Sequence, residues 1–218
     1  MKRALRQISW TSLILASFGF IGTLLIAGTE AITHERIAEN HRQLLLKSLH
    51  TLVPKERMDN DPYRDKILIQ AASLSKNPTP VYRVRKEGKP VAVILSPVAP
   101  DGYSGSITLL VGIYLDGTLA GVRVSSHRET PGLGDGIESQ RSDWILGFNG
   151  KSLHNPTQKG WAVKRDNGQF DQFTGATITP RAVVKAVYKT LLYFQTHQEM
   201  LFNTPTATAT ATAGNDHE

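Results

Sequence analysis

The segment Asp171–Pro180, Asp-Gln-Phe-Thr-Gly-Ala-Thr-Ile-Thr-Pro, contains the residues best suited to carry chemistry. It places three threonine hydroxyls within six residues, around a Gly-Ala pair that has almost no side chain. A bulky anionic group can approach such a backbone closely, and one of the hydroxyls can be esterified. The other residue types that usually carry chemistry are sparse in this chain, so this segment is the first candidate site.

The same segment is predicted to lie where a helix begins, between a strand-like stretch and an amphipathic one. Exposed N–H groups and the positive end of the helix dipole favour an anion there, and Arg181 and Lys185 follow on the same helix. A phosphate esterified to Thr177 would keep one negative charge near these donors. The alternative is a loop whose small residues only pack a helix N-terminus, with Thr179 as its cap.

A second candidate site is the glycine-rich segment from Ser126 to Gly136. It fails as a dinucleotide-binding fingerprint, because the position that needs a third glycine holds Ile137. Its glycines could let the backbone approach a flat ligand, with His127 and Glu129 as polar contacts. It could equally be a surface loop with a solvated cluster of charges, and the sequence leaves both interpretations open.

Composition excludes several classes of protein. The 218 residues include no cysteine, which rules out disulfides, Cys-ligated zinc, iron–sulfur clusters and thiol catalysis. The net charge of +6 is spread along the chain. This argues against nucleic-acid binding and favours a basic surface facing anionic lipid or an acidic partner. The motifs of P-loop nucleotide sites, zinc proteases and serine hydrolases are missing, and the histidine spacing predicts no metal site.

The N-terminus predicts a membrane anchor. Lys2, Arg3 and Arg6 precede an uncharged run over residues 7–29. About 20 such residues, rising ~1.5 Å each, span the ~30 Å hydrocarbon layer. The charge bias predicts a single-pass protein in which residues 1–6 are cytoplasmic and everything after residue 29 lies outside, in the periplasm if the cell has one. A cleaved signal peptide is the alternative, but its apolar region is usually only ~7–15 residues long.

Residues 30–54 are predicted to form a membrane-proximal helix, because apolar residues recur at helical spacing until Pro54. Residues 55–203 are predicted to form one globular domain. Residues 204–218 are a Thr/Ala-rich tail whose composition cannot bury enough surface to become ordered, so we expect it to be disordered.

The domain is predicted to contain an antiparallel sheet of three or four strands. Val81–Arg85 alternates between apolar and polar residues, and Val91–Leu95 and Ile107–Tyr114 are apolar runs. An Asp-Gly pair then predicts a hairpin into Leu119–Val124. With helices flanking this sheet, the fold class is α+β: a transmembrane helix followed by one extracytoplasmic domain.

Three further elements are predicted after the sheet. Ile137–Phe148 resembles a short helix, and Trp161–Lys164 a short strand. A closing helix is predicted with Thr179 as N-cap and Pro180 at its first position. Its buried stripe is expected to consist of Val183, Val184, Val187, Leu191 and Phe194.

Taken together, these residues resemble the FMN-binding domain of the G subunit of the Rnf/Rsx electron-transport complex. The C subunit of the sodium-pumping NADH:quinone oxidoreductase is a related family. The resemblance covers nearly the whole chain up to Thr204. The motif is Asp-x-x-Ser/Thr-Gly-Ala-Thr, and every fixed position is satisfied here. The matching residues are Asp171, Thr174, Gly175, Ala176 and Thr177.

The resemblance implies a covalent FMN. Thr177 is the residue expected to carry it through a phosphoester bond, installed by a separate flavin transferase of the ApbE type. We expect Arg181 and the helix N-terminus to hold the phosphate. A second group would line one side of the flavin ring or control access to it: His127, Glu129, Thr130 and Leu133.

The resemblance also implies a function. The chain would be an electron-carrier subunit of a membrane complex that couples electron transfer to ion translocation, working with the other subunits of that complex. In a Rsx setting the complex would help to keep an iron–sulfur transcription regulator reduced. The rival functions are an anchored scaffold or ligand-binding module without redox activity, and a hydrolase with a hydroxyl nucleophile. The hydrolase needs a general base, for which only His127 is a candidate.

Overall fold

The computed structural model describes residues 2–206. Met1 and residues 207–218 lie outside the described part, as do the side chains of residues 2–9, 11, 31, 35, 38 and 41. Helix α1 runs without interruption over Lys2–Leu52. Within the described residues, one stretch is long and apolar enough to cross a membrane, Ser12–His34.

The chain divides into two compact units, with the boundary after residue 45. The last turns of α1 belong to the second unit, because Leu49, Leu52 and Val53 are buried in it. Large apolar side chains along the described part of the first unit are exposed, among them Phe18 and Leu24. Exposed aromatic and aliphatic side chains are what a lipid-facing helix presents.

The second unit contains one antiparallel sheet of six strands. The order is β1-β2-β3-β5-β6, and the two-residue strand β4 pairs with the start of β5 on the same side as β3. The four predicted strands are confirmed, and β1 and β4 are additional. The strands are β1 Lys66–Ile69, β2 Thr79–Lys86, β3 Lys89–Leu95, β4 Val98–Ala99, β5 Ile107–Tyr114 and β6 Leu119–Ser126.

Helix α2, Ile178–Asn203, closes the core. The predicted stripe from Val183 to Phe194 is buried among the strand residues, so that part of the prediction is confirmed. The predicted start of the helix is wrong: the N-cap position belongs to Thr177, and Thr179 is a fully buried residue of the first turn. Thr179 lies inside the helix and cannot be its cap, and its hydroxyl donates a hydrogen bond to Glu129.

The predicted short helix Ile137–Phe148 is wrong as a single element. Two short 3₁₀ turns take its place, Asp135–Ile137 and Asp143–Phe148. The Ser142 hydroxyl separates them: it donates to the Gly136 carbonyl at 2.6 Å and accepts from the Trp144 N–H at 3.2 Å. A side chain that competes for backbone groups in this way interrupts a helix.

The predicted strand Trp161–Lys164 is also wrong. It lies between two 3₁₀ turns, Gln158–Gly160 and Lys164–Asp166. Val163 forms one isolated bridge, to Phe170. The segment is too short to build a ladder, because the chain turns at Asn167, whose φ of 64° is left-handed.

The end of α2 is fastened to the sheet by Arg83 on β2, which is 2% exposed. Its guanidinium donates to the carbonyls of Phe202 and Thr204, to the Thr206 hydroxyl at 2.8 Å, and to Asp65 at 2.8 Å. We name Asp65, Arg83 and the chain segment 202–206 the chain-end cluster. Residues 204–206, where the predicted disordered tail begins, are therefore hydrogen-bonded; residues 207–218 lie outside the described part.

Asp65 supplies the negative charge of this cluster. It also accepts a hydrogen bond from Arg85 at 2.8 Å. Burial alone would raise the pKa of Asp65, but the hydrogen bonds and positive charges of Arg85 and Arg83 together lower it. Two guanidinium groups thus share one carboxylate, and the carbonyls at the end of α2 accept the remaining hydrogen bonds.

Candidate functional site

The motif segment forms a tight turn before α2. The Ala176 N–H donates to the Phe173 carbonyl at 3.1 Å, which closes a turn over Thr174 and Gly175. Gly175 has a φ of 77°, a left-handed value that favours glycine because a side chain would be strained there. Thr174 and Gly175 are both exposed, so the tip of the turn is open to an incoming group.

Thr177 follows this turn at the N-cap of α2. It is half-buried, and its side chain makes no capping hydrogen bond to the helix. Its carbonyl accepts the Arg181 N–H at 3.3 Å, as the first helical turn requires. The hydroxyl is therefore held beside the N–H groups of a 26-residue helix and remains available for a covalent bond.

Asp171 fixes the other end of the motif. Its exposed carboxylate lies 2.5 Å from the Lys164 ammonium. Its carbonyl accepts a hydrogen bond from the Trp144 indole N–H at 2.7 Å. The first fixed residue of the motif is thus tied to two neighbouring segments, which orients the turn that follows.

Phe173 joins the motif to the second glycine-rich loop. Its ring lies against Gly136, where an added Cβ would come within 3.0–3.2 Å of three ring carbons. The ring also contacts Trp144 edge-on, with centroids 5.3 Å apart. Glycine at position 136 is therefore required by close packing of the two loops.

Gly136→Ala should destabilise the domain by about 1–3 kcal/mol, because the added methyl group forces the Phe173 ring and its turn outward. The matched control is Gly147→Ala, whose Cβ would meet nothing within 4 Å. The measurement is the midpoint of thermal unfolding of both variants in the same detergent. Equal midpoints would contradict the packing role of Gly136.

Exposed apolar side chains surround the motif. Leu133 approaches Gly175, since a Cβ at position 175 would lie 3.8 Å from the Leu133 Cδ2. Leu133, Tyr103 and Ile178 are 49%, 68% and 44% exposed. We name these three residues the apolar rim. Large apolar groups left in water beside a reactive hydroxyl suit a flat, largely apolar ligand.

Glu129 is turned inward, with only 4% of its surface exposed. Its carboxylate accepts hydrogen bonds from the Ser104 N–H at 2.9 Å, from the Tyr103 N–H at 3.3 Å and from the Thr179 hydroxyl. A Cβ at Gly134 would lie 2.9 Å from the Glu129 Cβ. We name Glu129 and its three donors the carboxylate clamp, because it joins three segments around Thr177.

Both nitrogens of His127 are engaged. Its Nδ1 accepts the Glu129 N–H at 3.0 Å, and its Nε2 lies 2.6 Å from a Glu138 carboxylate oxygen. A backbone N–H can only donate, so the neutral ring carries its proton on Nε2 and donates to Glu138. His127 therefore shapes the loop, and this geometry does not favour a general base for a hydrolase.

Thr130 and Arg181 complete the predicted site residues. Thr130 is exposed, and its carbonyl accepts the N–H groups of Leu133 and Gly134 at 3.1 and 3.0 Å. Arg181 donates twice to Asp166, at 2.6 and 2.8 Å. The hydrogen bond that Arg181 donates to Asp166 raises the pKa of Arg181, so this guanidinium stays charged. A phosphate at Thr177 would compete with Asp166 for it.

The structure brings both predicted segments to one place. The sequence did not identify Tyr103 as part of the site, and it predicted no contacts for Phe173 and Ile178 within the candidate segment. Gly102 was the available signal for the loop that carries Tyr103: a Cβ there would lie 2.2 Å from the Gly105 carbonyl oxygen, a tight turn that excludes a side chain. No local signal indicates that the Thr179 hydroxyl is bonded to Glu129.

Comparison with known proteins agrees with this geometry. The FMN-binding domain profile matches residues 102–192, and the RnfG N-terminal region profile matches residues 1–52. The G subunit of the ion-translocating oxidoreductase complex from Pseudoalteromonas atlantica is 49% identical over 198 residues, covering 90% of this chain and 92% of that protein. This chain belongs to the family of these G subunits. The resemblance drawn from the motif is confirmed.

Two other members of this family show the same degree of similarity. The protein from Aliivibrio fischeri is 46% identical over 197 residues, covering 89% of this chain and 94% of its own length. The one from Pseudomonas aeruginosa is 48% identical over 198 residues, covering 90% of this chain and 92% of its own length. The FMN-binding match begins at the Gly102 turn and ends on α2, so it includes every segment of the site.

The residues present fit FMN. The exposed turn over Thr174 and Gly175 leaves room for a phosphate, and the N–H groups of α2 are placed to bind it. The apolar rim offers a surface of the kind that a flavin ring contacts. Thr177, whose hydroxyl makes no capping hydrogen bond, directly precedes Ile178 of this rim in the chain.

Proposed function

We propose that this chain is the electron-carrier subunit of an ion-translocating oxidoreductase complex, with FMN joined covalently to Thr177. The observation that supports this most strongly is the position of the Thr177 hydroxyl. It is left out of helix capping, and Thr177 stands in the chain between the open turn at Gly175 and Ile178 of the apolar rim. A domain that only bound a partner would have no need for this combination.

The attachment is a phosphoester. A bond forms between Thr177 Oγ1 and the phosphorus of the FMN phosphate in a flavin donor, and the hydroxyl proton leaves. The bond between that phosphorus and the oxygen of the donor's leaving group breaks, and the leaving group departs with this oxygen. The chain thereby gains the mass of FMN less one water. A flavin transferase is the proposed catalyst, because no general base lies among the described hydrogen-bond partners of Thr177.

The chain's own residues position the cofactor. The N–H groups of α2 neutralise the phosphate, with Arg181 as an exposed cation nearby. Leu133, Tyr103 and Ile178 contact the ring and exclude water from one side. When bound, FMN supplies the capacity to accept and release one or two electrons.

Location and partners follow from the same proposal. The basic residues before the apolar run favour a cytoplasmic N-terminus, so the domain would be periplasmic and anchored in the inner membrane. The partners are the other subunits of the complex, which exchange electrons with this one and move the ion. In a Rsx-type complex this flow would keep an iron–sulfur regulator reduced.

The test is the mass of the full-length chain after co-expression with the flavin transferase. We expect a gain of FMN less water on the tryptic peptide 166–181, with fragment ions locating it on Thr177 rather than Thr174 or Thr179. Expression without the transferase is the control and should give no gain. A chain that stays unmodified beside an active transferase would refute covalent attachment, and a purified protein that contains no flavin at all would indicate a scaffold without redox activity.

A further inference from the structure

Glu129 is a buried carboxylate beside the proposed flavin site. It is 4% exposed, and its carboxylate accepts hydrogen bonds from neutral groups: two backbone N–H groups and the Thr179 hydroxyl. Among the described side chains it forms no ion pair. Both N–H groups can only donate, so each oxygen is used as an acceptor.

Its location makes this charge relevant to the cofactor. Thr179 is two residues from Thr177 and is bonded to Glu129 itself. Leu133, four residues after Glu129, belongs to the apolar rim, and so does Tyr103, whose N–H the carboxylate accepts. The carboxylate therefore lies directly behind the surfaces proposed to hold the flavin, packed so closely on Gly134 that a Cβ there would lie 3.1 Å from its Oε2.

We propose that Glu129 is a positioning residue with an electrostatic effect: its buried charge lowers the reduction potential of the flavin on Thr177. This inference rests on the proposed function. Reduction adds electrons to the ring, and a nearby negative charge in a medium of low dielectric constant opposes that addition. Neutral donors hold the carboxylate in place without cancelling its charge, which a lysine or arginine partner would do.

The clamp also holds the site in shape. The carboxylate links the turn at Tyr103–Ser104, the loop at 127–136 and the first turn of α2. This role alone would affect folding and flavin loading. The charge adds an effect on potential that a purely structural residue would not have, and the sign of that effect separates the two.

The first variant is Glu129→Gln, which keeps the size of the side chain and removes its charge. The full-length protein is purified in detergent after co-expression with the flavin transferase. The midpoint potential is then measured by titration with dithionite and reference dyes. We expect a shift to more positive potential. The matched control is Glu199→Gln, an exposed carboxylate near the far end of α2, which should leave the potential unchanged.

The second pair of variants changes Thr179, whose hydroxyl donates a hydrogen bond to Glu129. Thr179→Val has nearly the same volume but removes the hydroxyl dipole that partly offsets the charge, so the potential should shift to more negative values. Thr179→Ser keeps the hydroxyl and should match the unmodified sequence. The opposite signs of the Glu129→Gln and Thr179→Val shifts are the signature of an electrostatic effect.

The outcomes are distinct. Protein without any substitution that carries no flavin after co-expression with the transferase would refute the proposed function itself. Protein that carries flavin but has the same potential in Glu129→Gln and Glu199→Gln would refute this inference alone. If Glu129→Gln cannot be purified with flavin, the Thr179 pair decides. A negative shift of the midpoint potential in Thr179→Val, with no shift in Thr179→Ser, supports the inference. Identical potentials in the two variants overturn it.

Discussion

Thr177→Val should abolish covalent flavin completely while leaving the domain folded. Valine matches threonine in shape, and the lost hydroxyl caps nothing in the helix, so the substitution removes the attachment point with little effect on packing. The measurement is flavin fluorescence of the denatured protein band, together with intact mass, after co-expression with the flavin transferase. Thermal unfolding should shift little relative to the apo protein.

Two control variants sharpen this test. Thr177→Ser keeps a hydroxyl at the same position and should still be flavinylated. Thr174→Val removes the neighbouring hydroxyl at the tip of the turn and should leave Thr177 as the modified residue in whatever fraction is loaded. Fluorescence that survives Thr177→Val and disappears in Thr174→Val would show that the attachment is at Thr174 and that our proposed residue is wrong.

Of the substitutions proposed here, Arg83→Met should lower the free energy of unfolding the most. The substitution leaves Asp65 as a half-buried charge with one guanidinium partner fewer and removes the donor for the carbonyls of Phe202 and Thr204. Breaking a buried pair from one side costs about 3–5 kcal/mol. For a unit of this size that corresponds to roughly 6–20 °C in the midpoint of thermal unfolding.

The matched control for Arg83→Met is Arg64→Met. The Arg64 side chain is 83% exposed and lies 3.7 Å from Asp61, a surface contact worth less than about 1 kcal/mol. Both variants are melted in the same detergent, with the loss of near-ultraviolet circular dichroism as the signal. If Arg83→Met melts within a degree or two of Arg64→Met, the chain-end cluster does not stabilise the fold.

The sequence predicted the sheet well because its strands have strong local patterns. Alternation on β2, apolar runs on β3 and β5, and the Asp-Gly turn before β6 are each visible within a few residues. Strands β1 and β4 were missed for the opposite reason. They have four and two residues, and they form because longer strands offer them partners.

Two of the predictions that failed, the helix cap and the short helix, share one cause: a side chain is bonded to a partner outside its own turn. Thr179 resembled a helix cap, but Glu129, fifty residues earlier in the chain, takes its hydroxyl. Ser142 resembled part of a helix, but it bonds to the Gly136 carbonyl. Local propensity cannot identify either partner, because each depends on how separate segments meet.

The sequence identified a candidate motif but not the residues that surround it. The motif from Asp171 through Thr177 was identified by its resemblance to a family pattern and by its position before a predicted helix. The second loop was identified by its glycines, but the direction of Glu129 was not. A sequence indicates that a carboxylate is present, and only the fold shows that it is buried between three segments.

A cofactor attached at the N-cap of α2, as proposed, would be limited in how far it could travel. The helix is packed along its length into the core, so the point of attachment would move only with the whole folded unit. The ring could then move only by rotation about the few single bonds of its own phosphate and ribityl chain. Partners that exchange electrons with it would have to come within that short radius, and the rate of exchange would depend on how closely the neighbouring subunits assemble.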